Sequence, residues 1–267
     1  MHKVVSKLVG MSGIIFLSPL MNAQAGDEDY GFKPFIHASG TNGTLPYRLF
    51  IPTSAEEGKK YPLFIYFHGA GSVGSDNLAQ LNYGKVFADQ KTQSSHPCFI
   101  VAPQCPQGRR WVDTDWGKTA HIQPAITPEM RMALEIVDKI VTDYPIDRDR
   151  IYVYGTSMGG FATWDIICRR PDMFAAAVPV CGGGDETKAA LIKDIPIWAF
   201  HGALDTTVKV IRSRNMIAAV KKAGGNPRYT EYEKVGHDAW NYAYKEPELA
   251  EWIFNQCRRN EKSKLQK

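Results

Sequence analysis

Cysteine is scarce in this chain. Five cysteines stand among 267 residues, at 98, 105, 168, 181 and 257, with no C-x-x-C and no Cys/His spacing that suits zinc. That excludes a zinc ribbon and a small disulfide scaffold. Mostly buried thiols are expected, with room for one or two bridges. Charge of one sign is equally short. Thirty-two Lys and Arg against 28 Asp and Glu leave +4, with no long basic run outside 258–267, so nothing points to nucleic-acid binding. That basic tail reads as the solvated end of a last helix. No apolar run reaches the ~20 residues that a membrane-spanning helix needs. Internal repeats, low-complexity tracts and Pro-, Gly- or Ser-rich linkers are missing too, which at this length argues for one large domain. What remains, 44% hydrophobic, 11% aromatic and 22% charged, is ordinary globular composition and excludes disorder, collagen and coiled coil.

The first residues read as an export signal. Lys3 and Lys7 precede an apolar stretch, Leu8 to Met21, and Ala23-Gln24-Ala25 follows as an A-x-A cleavage site. The expectation is a signal peptide over 1–25, a single domain over 26–267, and a secreted or periplasmic location without stable membrane insertion. Removing 1–25 deletes those two lysines and no acid, so the net charge falls from +4 to +2.

Beyond the signal, short apolar runs alternate with helix-like segments. Phe35-Ile36-His37 and Leu45 to Ile51 flank a turn-rich connector and suggest an antiparallel pair at a sheet edge. Tyr61 to Phe67, Phe99 to Ala102, Ile151 to Tyr154, Ala175 to Val180 and Ile195 to Phe200 are continuous apolar runs, the mark of strands buried on both faces. Arg228 to Glu233 is a more polar, edge-like candidate. Between them, apolar residues at three- and four-residue steps predict helices over 128–142, 158–169, 208–223 and 248–258. The order predicts an α/β fold, a mostly parallel twisted sheet with helices on both faces.

The strongest local signal is Gly155-Thr156-Ser157-Met158-Gly159-Gly160, directly after one buried strand and before a helix. A sharp strand-to-helix turn needs small neighbours, and it lifts a serine hydroxyl to a helix N-terminus where negative charge is stabilised. Ser157 then needs a base held by an acid. Only His201 and His237 follow it in the chain, and His201 precedes any acid at the next strand end. His237, in the turn after the last strand, is the candidate base. Asp205, just past a buried strand, is the candidate acid. Asp185 is its rival, with a helix cap as its other reading, and Asp238 is too close to His237 in sequence to reach back easily. Two backbone donors are required for the developing oxyanion. Met158, after the nucleophile, and Ala70, in His68-Gly69-Ala70-Gly71, are the candidates, with His68 packing beneath that loop.

Together these residues resemble the α/β-hydrolase superfamily. Within it the chain is similar to compact serine esterases related to carbohydrate esterase family 1 (feruloyl and acetyl-xylan esterases), esterase D and the phospholipase/carboxylesterase group. The shared features are His68-Gly69, the Ser157 motif, His201-Gly202 leading to Asp205, and Gly236-His237-Asp238-Ala239-Trp240. The resemblance implies an α/β-hydrolase fold and a serine hydrolase that needs no cofactor and no metal. It implies a carboxylic ester as substrate, small or polysaccharide-linked, of feruloyl or acetyl type; a serine peptidase is the alternative. The segment 104–127 is longer than the usual connection and lacks periodicity. It places Trp111 and Trp116 as candidate substrate walls, or as the loop's own small core, and Trp240 beside the base as a third contact.

Overall fold

A computed structural model describes residues 29–258. The expected signal peptide over 1–25 and the tail beyond Arg258 lie outside the described residues. Eight strands form one sheet: β1 (Phe32–Ser39), β2 (Gly43–Phe50), β3 (Tyr61–Phe67), β4 (Phe99–Pro103), β5 (Ile146–Thr156), β6 (Ala176–Val180), β7 (Trp198–Gly202) and β8 (Arg228–Tyr232). Their order across the sheet is β1-β2-β4-β3-β5-β6-β7-β8. β1 and β2 form an antiparallel hairpin at one edge, β2 joins β4 antiparallel, and all later pairings are parallel. This is the mostly parallel α/β sheet that the strand and helix pattern predicts, in the α/β-hydrolase form that the resemblance implies.

Seven helices accompany the sheet among the described residues: α1 (Leu81–Gly84), α2 (Gln90–Ser95), α3 (Pro128–Asp143), α4 (Met158–Arg169), α5 (Ile211–Lys222), α6 (Trp240–Ala243) and α7 (Leu249–Phe254). None is long and apolar enough to cross a membrane. The apolar run of β3 explains the layering. Leu63, Ile65 and Phe67 face a cluster built with α3, α4 and α5, while Phe64 and Tyr66 face another built with Phe87, Leu249 and Ile253. A strand covered on both sides has no polar face to alternate with. α3 begins as the sequence suggests. Thr127 Oγ1 accepts the Met130 N–H, and Pro128 occupies the first helical position, where a missing N–H costs nothing.

Three expectations need correction. The helix expected over 248–258 ends at Phe254, so the basic residues from Arg258 onward do not continue it directly. α5 begins at Ile211 rather than at 208, because Asp205 Oδ1 draws the N–H groups of Thr207 and Val208 into a turn at 2.9 Å each. The room left for one or two disulfides is unused: all five cysteines are free thiols, four of them buried. Cys98 and Cys181 pack on one side of the sheet and Cys105 and Cys168 on the other.

Candidate active site

β5 ends at Thr156, and Ser157 takes φ 54° and ψ −116°, a left-handed backbone that turns the chain at once into α4. Such a conformation costs of order 1–3 kcal/mol and persists only where the surroundings hold it. Here glycines hold it. A Cβ on Gly155 would stand 2.4 Å from the Gly159 carbonyl oxygen, and one on Gly160 would stand 2.4 Å from that of Val180. The first turn of α4 therefore lies directly on the backbones of its neighbours, and Ser157 is left half-exposed at the C-terminal end of the sheet.

Two loops converge on it. Past β8, His237 brings Nε2 to 2.8 Å from Ser157 Oγ. Past β7, Asp205 brings Oδ2 to 2.6 Å from His237 Nδ1. A carboxylate only accepts, so Nδ1 carries the ring hydrogen and Nε2 presents its lone pair to the hydroxyl. Burial works against charge on Asp205, but the bonds from His201, His237 and the Val208 N–H outweigh it and hold its carboxyl well below the usual carboxylate range. Asp185 lies elsewhere. Its Oδ1 accepts from Thr187 N and Oγ1, and its Oδ2 from Gln123 N, so it caps a short turn and anchors the 104–127 segment.

The candidate oxyanion donors flank the serine. Met158 is the first residue of α4, so its N–H has no carbonyl one turn back to bond. Across from it, a Cβ on Gly69 would meet Ser157 Cβ at 3.5 Å, which brings the Gly69-Ala70 backbone beside the nucleophile. His68 braces this loop from beneath. Its Nε2 accepts the Cys105 N–H at 2.9 Å, so its Nδ1 carries the hydrogen and donates to the Gly69 carbonyl at 2.7 Å. Burial lowers its pKa from 6.5 to about 4. The imidazole is therefore neutral in the fold and charged in the unfolded chain below 6.5. Stability it contributes above 6.5 is lost as pH falls toward 4, in total about 3 kcal/mol. Urea unfolding at stepped pH is expected to show this decline. A flat profile between 6.5 and 4 would remove His68 as its cause.

The three tryptophans divide. Trp111 is fully buried, its ring edge-to-face with Phe67 at 5.0 Å and with His68 at 5.3 Å, and its Nε1–H donates to the His68 carbonyl at 3.2 Å. An indole enclosed in this way cannot stack on a ligand, so the substrate-wall expectation for Trp111 is corrected to a core role under the oxyanion loop. Trp111→Ala is expected to cost about 3–5 kcal/mol of stability, measured by urea titration. A raised KM at unchanged stability would instead restore it as a wall. Trp116 is half-buried against the same core, with the Arg110 guanidinium 4.7 Å from its ring centroid. Trp240 is half-buried and sets its ring edge-to-face against His237 at 5.3 Å. The segment carrying Trp111 and Trp116 is tied down at residues 121–124. Gln123 bonds Asp165, Arg169 bonds the Pro124 carbonyl, and fully buried Arg212 on α5 bonds His121.

Fold and site together define an α/β-hydrolase with a Ser–His–Asp relay at the C-terminal ends of parallel strands. The chain belongs to the Phospholipase/Carboxylesterase family, whose sequence profile matches residues 52–246. A solved structure described as a thermostable esterase is similar at 39% identity and a TM-score of 0.82, over 86% of this chain and 64% of that one. A ferulic acid esterase shares the fold, at 18% identity and a TM-score of 0.64, over 84% of this chain and 97% of that one. The poly(3-hydroxybutyrate) depolymerase of Ralstonia pickettii is 26% identical over 202 residues, covering 73% of this chain and 41% of the depolymerase. The chain spans about two fifths of the length of such curated relatives.

Proposed function

We propose that this protein hydrolyses carboxylic esters through an acyl-enzyme formed on Ser157. The observation that carries this reading is the unbroken line from Ser157 Oγ through His237 to Asp205, at 2.8 and 2.6 Å. His237 Nε2 takes the hydroxyl proton as Oγ attacks the acyl carbon, and Asp205 orients and stabilises the imidazolium. The oxyanion is received by the N–H groups of Met158 and Ala70. Collapse expels the alcohol, which takes its proton from His237. Water then repeats the sequence and releases the acid, restoring Ser157.

For the substrate, we propose acyl esters carried by plant polysaccharides, feruloyl or acetyl in type. The reading of residues 1–25 as an export signal supports work outside the cytoplasm, in the periplasm or beyond, on material too large to import. Trp240, edge-on to the base, supports an aromatic or sugar contact at the mouth of the site. The burial of Trp111 removes one support that the sequence offered. A second reading, a polyester of short hydroxy acids, is favoured by similarity to the depolymerase over 73% of the chain. The serine peptidase alternative uses the same tetrahedral chemistry and is separated by leaving group.

The test is a panel of feruloyl, acetyl, oligomeric 3-hydroxybutyrate and long-chain acyl esters with a peptide anilide, each repeated with Ser157→Ala. Turnover of feruloyl or acetyl esters, lost in the variant, supports the first reading. Preference for the hydroxybutyrate oligomer transfers support to the second. Hydrolysis confined to the anilide would sink both.

A further inference from the structure

The line of polar contacts from Ser157 does not end at Asp205. His201, on β7, brings Nε2 to 3.2 Å from Asp205 Oδ2, the same oxygen that bonds His237, and both side chains of this second pair are fully buried. His201 Nε2 also lies 2.9 Å from the Val208 carbonyl oxygen. A carboxylate and a carbonyl only accept, so Nε2 carries a hydrogen, bonded to the Val208 carbonyl with the Asp205 carboxylate as a second, longer polar contact. Across the ring, Nδ1 lies 2.7 Å from Ser213 Oγ on α5, and that hydroxyl lies 3.1 Å from the Gly182 carbonyl oxygen. β7, α5 and the backbone beyond β6 thus fix the plane of this imidazole.

We propose that His201 is a positioning residue for the reaction, acting through Asp205. Its Nε2–H holds the carboxylate in the rotamer that meets His237 and limits how strongly Oδ2 draws on the His237 proton. The proposal rests on the ester-hydrolase reading above. An ionised carboxylate with more donors spreads its charge over more bonds and stabilises any one partner cation less. Oδ1 is already occupied by the Thr207 and Val208 N–H groups, so Oδ2 is where the balance is set. A base that gave up its proton too reluctantly would fail to protonate the leaving alcohol.

The other ionisable neighbours are few. The Cys181 thiol, within 4.8 Å of a His201 ring nitrogen and an Asp205 carboxylate oxygen, is pushed up to about 12 by burial and by the Asp205 charge, so it stays a neutral S–H at neutral pH. Glu231, opposite His201 in the β7–β8 register, is already held by Arg214 and by the Tyr229 hydroxyl. Asp238, next to His237, is exposed.

Two variants separate the donor from the volume. His201→Met fills the space without an N–H, whereas His201→Gln keeps an N–H at similar reach. With p-nitrophenyl acetate, His201→Met is expected to lower kcat about ten- to a hundredfold, with KM little changed. The acid limb of its kcat/KM profile should move upward by about one pH unit, and His201→Gln should restore both. Proton NMR of the whole protein reads the same contact without turnover. Wild type should show two downfield ring N–H resonances, from His237 Nδ1 and His201 Nε2, and His201→Met should remove one and shift the other. A wild-type protein that cleaves no ester would defeat the ester-hydrolase reading, and the NMR comparison would still decide the His201 contact. A folded His201→Met with an unmoved acid limb and an unmoved His237 resonance overturns the proposal. Should that variant not fold, Ser213→Ala loosens the ring from its far side. A smaller shift in the same direction is then expected, and no shift overturns the proposal.

Discussion

Replacing Ser157 by alanine is expected to lower kcat for ester hydrolysis by about a million-fold while leaving the fold in place. The nucleophilic oxygen is lost, so His237 and Asp205 have no proton to move. Alanine keeps the Cβ, so the strained backbone at φ 54° is unchanged by the substitution. One hydrogen bond disappears, of about 1 kcal/mol, and the left-handed turn remains held by the glycines around it. Residual catalysis, about a thousandfold over water, should survive through binding and the N–H groups of Met158 and Ala70. Aryl-ester turnover beside a thermal melt measures both halves of this expectation. Near wild-type turnover in the variant would reject Ser157 as the nucleophile.

Gly159→Ala should be the most damaging glycine-to-alanine change among the described residues. Its Cβ would fall 1.8 Å from the Phe67 carbonyl oxygen, 2.4 Å from the Phe67 carbonyl carbon and 3.0 Å from the His68 carbonyl oxygen. All three are backbone atoms of β3 or of the turn that leaves it, so no side chain can swing aside. The N-terminus of α4 would have to lift off the sheet, taking the Met158 N–H with it and separating Ser157 from the Gly69 loop. A cost of about 4 kcal/mol or more is expected, a large part of the ~5–15 kcal/mol that stabilises a typical domain. Gly40→Ala is the matched control. Nothing lies within 4 Å of that added methyl, and the change should fall within about 0.5 kcal/mol. Urea midpoints of the two variants measure the contrast, and equal midpoints would show that α4 is not seated as described.

Much of this architecture is legible in the chain because both-face burial writes itself plainly. The second half of β5 and all of β7 have no solvent side, so their apolar runs are continuous and their ends locate the turns where Ser157 and Asp205 sit. Chain order then leaves one histidine, and strand position favours Asp205 over Asp185. Less legible are features made by tertiary packing. α1, α2 and α6 are four to six residues long, too short to show a period. Trp111 lies in a segment with no period at all, so nothing in its neighbours says that it faces inward; only Phe67 and His68, more than forty residues away, enclose it. His201 hides for a related reason. It reads as part of a strand end, and its contact with Asp205 becomes visible only when β7, α5 and the chain past β6 are brought together.

The four buried cysteines carry a last consequence. Burial pushes the Cys98 and Cys168 thiols up to about 12, as it does Cys181, and raises Cys105 as well. At neutral pH these sulfurs are neither nucleophiles nor partners for one another. The fold as described contains no covalent cross-link whose formation must precede or follow packing. Packing of the described residues then involves no disulfide formation or exchange. The four buried thiols therefore ask nothing of the compartment's redox state, whether it is reducing or oxidising.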